Sequence, residues 1–374
     1  MSKDIFTVGI VGCGDISGIY CERVKGFNIL NLAACADLDR AKAKARAAEF
    51  GIPRVMDTAA LIADPGIDIV LNLTVPKAHF DIAKRAVAAG KHVYNEKPLC
   101  VELKEGKALM ALAAKKRVLV GCAPDTFLGG GIQTCRKLID DGVIGRPIGA
   151  TAVKMCHGHE SWHPSPEFYY EKGGGPMLDM GPYYLTALVN LLGPVARVCG
   201  SSKVSFKTRT ITSKPKFGKV VKVETPTHIQ AVLDFKSGAS ATIITSFDVW
   251  AAQLPCIEIY GEKGTLSVPD PNGFGGPVML WKPDAPDWKE IPLSHGFADN
   301  YRGLGVADLA YAARDKRHNR ASGSLALHVL EVMHAAINAG ASGKYTEIGT
   351  KCVQPAPMMI GTDESVLAKR KKKA

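Results

Sequence analysis

A regular alternation of apolar, β-branched runs with helical segments governs the first third of this chain. Residues 5–11, 30–36, 67–73, 92–94 and 118–122 read as strands, and Gly90 stops the helical pattern just before the fourth of them. Between them lie a Lys/Ala/Arg-rich helix over 39–50, closed by Gly51 and Pro53, and a helix that opens at His79 and runs to Gly90. Strands separated by helices are joined by crossovers and not by hairpins, so they pair in parallel. The expected fold of this part is α/β, a doubly wound parallel sheet.

In such a sheet ligands bind at the carboxyl ends of the strands. The first strand runs into Gly12-Cys13-Gly14-Asp15-Ile16-Ser17, with a helical pattern after Gly18. Strand, glycine turn and helix start in that order are the context of a dinucleotide fingerprint. Gly12 permits the tight turn, Gly14 lets the backbone approach a pyrophosphate, and the helix start at Asp15 and Ile16 offers free N–H groups. Ser17 stands where a third glycine often stands. The second strand ends at Asp37, placed to accept hydrogen bonds from ribose hydroxyls. With Asp39 also acidic and no Arg directly after Asp37, NAD is expected rather than NADP, although Arg40 is near. The third strand ends at Thr74 and Pro76, and the fourth at Glu96-Lys97-Pro98, where Pro98 turns Lys97 away from helical angles.

Beyond Pro124 the rhythm changes. After a helix over 132–139, residues 148–156, 195–204, 220–224, 228–235, 239–247, 256–260 and 264–268 read as strands joined by short turns such as Lys236-Ser237-Gly238. This indicates an α+β domain with a large, mostly antiparallel open sheet. Residues 269–292, rich in Pro, Gly and Trp, read as a loop, and helices are expected over 304–317 and 324–339. The expected organisation is a dinucleotide-binding domain over 1–123, a substrate and oligomerisation domain over 124–345, and a tail over 346–374.

Composition excludes several classes. Five of the +11 charges are Lys369, Arg370, Lys371, Lys372 and Lys373, a solvated tail, and no nucleic-acid-binding motif accompanies them. No apolar stretch approaches membrane-spanning length, so a cytoplasmic address is expected. Ten scattered cysteines without a CxxC pair read as reduced thiols.

A second constellation is Gly173-Gly174-Gly175 through Asp179, Gly181 and Tyr183, followed by a helical apolar pattern to Leu192. Asp179 and Tyr183, four apart, share a face if both lie on the entering turn of that helix. Before it stand Cys156, His157, His159, Trp162 and His163. Zinc is a poorer reading for these than a substrate wall, in which Trp162 faces sugar C–H groups and His157 or His163 binds hydroxyls.

Taken together, the glycine turn, Ala89 through Glu96-Lys97-Pro98, and Gly173 through Gly181 resemble the glucose-fructose oxidoreductase and inositol dehydrogenase family, Gfo/Idh/MocA. The resemblance implies an oxidoreductase moving hydride between NAD(P) and a ring or chain hydroxyl of a sugar, glycoside or cyclitol, and a homodimer or homotetramer formed through the second sheet. It implies that Lys97 bonds the reacting oxygen, that Glu96, Thr74, Pro76 and His79 surround the nicotinamide and its ribose, and that Asp179 orients substrate. Many members carry His where this chain carries Tyr183, which leaves the general base open between Tyr183, Lys97 and a substrate-assisted or water route. The fold also hosts glycosidases that recycle NAD and non-catalytic sensors of sugar or dinucleotide. Lys97 and Asp179 argue against a sensor.

Overall fold

The computed structural model describes residues 3–363, so the basic run 369–373 lies outside the described residues. The first unit contains β1 (Phe6–Val11), α1 (Ser17–Gly26), β2 (Leu30–Ala36), α2 (Arg40–Phe50), β3 (Arg54–Val55), α3 (Thr58–Ala63), β4 (Ile69–Asn72), α4 (Pro76–Ala88), β5 (His92–Asn95), α5 (Leu103–Lys116) and β6 (Val120–Cys122). The strands form one parallel sheet in the order β3-β2-β1-β4-β5-β6. Val8, Ile10, Ile69, Leu71 and Val93 are fully buried in it, as a sheet covered on both faces requires. Helix α4 starts at Pro76 and not at His79, because the fixed φ of proline suits the first helical position and its missing N–H costs nothing there.

The second unit contains α6 (Gly130–Asp140), β7 (Pro147–Met155), α7 (Pro176–Leu192), β8 (Val195–Lys203), β9 (Thr208–Thr210), β10 (Val220–Lys222), β11 (His228–Phe235), β12 (Ser240–Ser246), β13 (Ile257–Gly261), β14 (Gly264–Val268), β15 (Val278–Lys282), β16 (Ala285–Ile291), α8 (Leu304–Asp315), α9 (Gly323–Ser342) and β17 (Thr346–Glu347). Nine strands form a sheet in the order β16-β15-β14-β13-β7-β12-β11-β8-β17, antiparallel except where β7 meets β12. The β15–β16 hairpin falls in the stretch expected to be a loop. As the outer pair of the sheet it leaves most of β16 exposed, so the apolar alternation that marks a half-buried strand is missing there. The short β9–β10 pair stands apart as a flap.

Helix α7 is buried along nearly its whole length and forms the centre of the second unit, packing against α9. Helices α8 and α9 return to the first sheet, where Cys122 N–H donates to Ala321 O at 3.1 Å. The described cysteines are free thiols, and among the described residues no helix is long and apolar enough to cross a membrane.

One buried histidine gives the fold a pH dependence. His328 on α9 is fully buried, its Nε2 accepts the Val195 N–H at 3.0 Å, and Nδ1 meets Thr350 Oγ1 at 3.0 Å. Burial pushes its pKa from 6.5 down to about 4. The fold therefore binds fewer protons than the unfolded chain between those values, and stability present above pH 6.5 is lost as pH falls toward 4. The expected loss from this group is about 3 kcal/mol. Urea titrations should show His328→Gln with a flatter acid limb than the parent; parallel limbs would assign the effect elsewhere.

Candidate active site

The carboxyl ends of β1, β2, β4 and β5 lie on one edge of the parallel sheet, and the end of β5 meets the first turn of α7 through Lys97 and Asp179. At the end of β1, Gly12 has φ +100°, and a Cβ there would lie 2.6 Å from the Leu73 carbonyl, so only glycine closes this turn against β4. A Cβ on Gly14 would meet no protein atom within 4 Å. Ser17 is buried and donates to Gly14 O at 2.6 Å, taking the place of the third glycine by tying the turn to the helix. No side chain caps α1; its Ser17 and Gly18 N–H donate back to Gly14 O at 3.1 Å and Asp15 O at 3.4 Å, and Asp15 and Ile16 before them are exposed. The Asp37 carboxylate accepts Cys13 N–H at 2.7 Å and Asp39 N–H at 2.8 Å, which fixes it beside the glycine turn. The next residue, Leu38, is fully exposed.

At the end of β4, buried Asn72 donates to His79 O at 3.1 Å and to Asn95 Oδ1 at 3.0 Å, and accepts from Thr74 Oγ1 at 2.7 Å. His79 is fully buried, with Nδ1 2.7 Å from Pro98 O and Nε2 2.9 Å from Thr74 O. Its ring ties two strand ends together inside the wall and is not presented to a ligand. At the end of β5, Tyr20 of α1 donates to Glu96 Oε1 at 2.7 Å, and Lys97 N–H donates to Glu96 Oε2 at 2.9 Å.

Lys97 then crosses to α7. Its ammonium donates to Asp179 O at 2.8 Å and to Asp179 Oδ1 at 2.9 Å, and lies 5.3 Å from the centre of the Tyr183 ring. Burial opposes the charge on Lys97, but the facing Asp179 carboxylate, with Tyr183 and Glu96 behind it, holds the ammonium well above its ordinary pKa. Burial would raise Asp179; Lys97 and His159 instead keep it below the usual carboxylate range. Each partner thus favours the charged form of the other. Burial pushes the Tyr183 phenol up, against the opposing fields of Lys97 and of Arg302 from the second unit.

The histidines at the exit of β7 separate. His159 Nε2 lies 3.3 Å from Asp179 Oδ2, while His157 stacks on Trp250 at 3.4 Å between ring centres and gives its carbonyl to Arg209. His163 packs edge-on against Trp162 and accepts Ser165 N–H. Among the described residues no three His, Cys, Asp or Glu side chains converge as a metal would need. Lys97, Asp179 and Tyr183 thus come together, whereas His157 packs on Trp250 and Phe206. Sequence reasoning missed His159, Tyr169, whose ring centre lies 4.2 Å from that of His159, and Arg302. Two apart, His157 and His159 would share a face of a continuing strand, but β7 ends at Met155 and the chain turns at Gly158, φ +78°, so the strand period does not carry over to them.

Residues 6–123 match the model of the oxidoreductase family with an NAD-binding Rossmann fold, and residues 132–267 match that of the GFO/IDH/MocA C-terminal domain. Relatives include the myo-inositol 2-dehydrogenase of Thermotoga maritima, 24% identical over 69% of this chain and 74% of that protein. The 1,5-anhydro-D-fructose reductase of Ensifer adhaerens is 25% identical over 91% of this chain and 98% of its own. The fold is shared with a levoglucosan dehydrogenase solved with NADH and L-sorbose, at a TM-score of 0.81 and 18% identity, covering 93% of this chain and 100% of that one.

Proposed function

This chain belongs to the GFO/IDH/MocA oxidoreductase family, and from that premise we propose that it is an NAD-dependent dehydrogenase oxidising a secondary ring hydroxyl of a sugar, glycoside or cyclitol, or reducing the matching ketone. The observation that carries the reading is the Lys97 ammonium, held charged by Asp179 at 2.9 Å on the same sheet edge as the glycine turn.

The residues present suit a nicotinamide dinucleotide. The glycine turn and the uncapped start of α1 receive the pyrophosphate, the anchored Asp37 carboxylate accepts from a ribose hydroxyl and repels a 2'-phosphate, and exposed Leu38 offers an apolar face to adenine. When bound, the nicotinamide supplies the hydride acceptor.

Lys97 Nζ donates to the reacting oxygen and stabilises the alkoxide that develops there. Because Asp179 keeps Lys97 protonated, the lysine takes the hydroxyl proton only as it passes one of its own to Asp179. His159, 3.3 Å from the other carboxylate oxygen and 12% exposed at its side chain, takes that proton from Asp179 and passes it to solvent. Tyr183 walls the ammonium and orients substrate. The outer face of the second sheet, with Gln230, Thr242 and Ile244 uncovered by the chain's own helices, serves for self-association.

The test is NADH absorbance with purified protein, NAD or NADP, and a panel of monosaccharides, anhydrosugars, glycosides and inositols. NADH with one ring-alcohol class, faster with NAD than NADP, is expected. Silence across the panel in protein that binds NAD would contradict the reading.

A further inference from the structure

Resting on that reading, we propose that the oxidised ring is one end of a larger glycoside, whose second ring or aglycone stacks on Trp162 and Phe168.

Five rings make a continuous wall leading out from the reacting cluster. His159, which touches Asp179 at 3.3 Å, lies 4.2 Å from Tyr169 and 5.2 Å from Trp162 between ring centres. His163 lies 5.4 Å from both Trp162 and Phe168, and Phe168 closes back on Tyr169 at 4.0 Å. The inner end of this wall is polar and built for a single hydroxyl. Its outer end is apolar and wet: Trp162 is 61% and Phe168 46% exposed.

A lone exposed tryptophan on a loose loop needs no explanation. This one is held rigidly. Trp162 N–H and His163 N–H both donate to His159 O, Ser213 Oγ donates to His163 O at 2.6 Å, and Thr212 and Ser213 N–H both donate to Glu160 O at 2.9 Å. Glu160 itself is ion-paired to buried Arg209 at 2.6 Å. The chain therefore invests two anchored segments in presenting apolar ring faces to water, next to a site that takes one hydroxyl. Preorganised aromatic faces of this kind bind the C–H face of a sugar or an aryl group at little cost in conformational entropy. Trp162 lies 5.2 Å from the His159 ring that meets Asp179 and is open to water, so a second ring attached to the oxidised one is what covers it.

The experiment compares matched pairs, each a free aldose or its methyl glycoside against its phenyl glycoside, in the gluco, galacto and xylo series with NAD. For every pair that reacts, kcat/KM should favour the phenyl glycoside by about tenfold or more, a gap of about 1.4 kcal/mol. In Trp162→Ala the ratio should collapse toward unity, and Trp162→Phe should restore most of it. Equal rates within the pairs, or a ratio untouched by Trp162→Ala, would overturn the proposal. If no pair reacts, the dehydrogenase reading fails separately, and fluorescence titration of the NAD-loaded protein still decides this one. Quenching by phenyl but not methyl glucoside, lost in Trp162→Phe, supports the shelf, and no difference overturns it. A shift of Trp162→Ala to a smaller species on gel filtration would assign the face to a second copy of the chain and also overturn it.

Discussion

Lys97→Ala is expected to lower kcat/KM for the ring alcohol by about 10² to 10³-fold, the loss that follows removal of one preorganised donor from a developing oxyanion. The loss should fall mainly on kcat, because the ammonium's contact strengthens as negative charge grows on the reacting oxygen. The same change leaves the Asp179 carboxylate buried with His159 still beside it at 3.3 Å. Burial then acts on Asp179 without the lysine's field, so its pKa climbs out of the depressed range that Lys97 enforces. Lys97→Arg keeps the charge, but a planar guanidinium cannot occupy the point between Asp179 O and Asp179 Oδ1 that Nζ fills at 2.8 and 2.9 Å, so recovery should be partial. Steady-state kinetics on the three proteins settles the matter. A loss of less than tenfold in Lys97→Ala would remove the lysine from the reaction.

Arg209→Met should be the most damaging substitution for stability. The Arg209 side chain is 5% exposed and lies between Glu160 at 2.6 Å and Asp248 at 3.3 Å, themselves 10% and 6% exposed. It also donates to Phe247 O at 2.8 Å and His157 O at 3.0 Å, and Tyr170 adds its hydroxyl to Glu160. Without the cation two buried carboxylates lose their counter-charge and keep the hydroxyls of Tyr170 and Thr227 as partners, which costs about 3–5 kcal/mol. Arg209→Lys retains the charge but loses the fork that reaches four acceptors, and is expected to fall between the two. Urea unfolding midpoints provide the measurement. A loss below about 1 kcal/mol in Arg209→Met would show that the hub is a surface-like pair.

How far the sequence spoke depended on the range of the interaction. The parallel sheet was legible because each buried strand is a compact apolar run ending at a glycine, a proline or a charge: β1 at Gly12, β4 before Pro76, β5 before Glu96 and Lys97. Helix spacing alone put Asp179 and Tyr183 on one turn, and Pro176 at the first position of α7 marks where that turn begins. The meeting of Lys97 with Asp179, 82 residues away, came only through resemblance, since no local pattern encodes it. The sequence pointed to His157 or His163 and not to His159 because all three sit at an irregular strand exit; what separates His157 from His159 is Trp250 stacked on one and Asp179 beside the other. Nothing local singles out Arg209 or Arg302; partners from other segments give them their places. The β15–β16 hairpin escaped for the opposite reason, being too exposed to carry a period.

The central claim is that this chain moves hydride from a ring carbon of a sugar to a nicotinamide and releases both products. The most direct measurement uses a substrate from the reacting class, deuterated at each ring carbon, with NAD, and determines by mass spectrometry where the label goes. One deuterium in each NADH formed, from a single carbon, with a matching keto product, is the expected result. Bond cleavage with the label returned to the sugar and no net NADH would contradict it, and would make the chain a recycler of its cofactor instead.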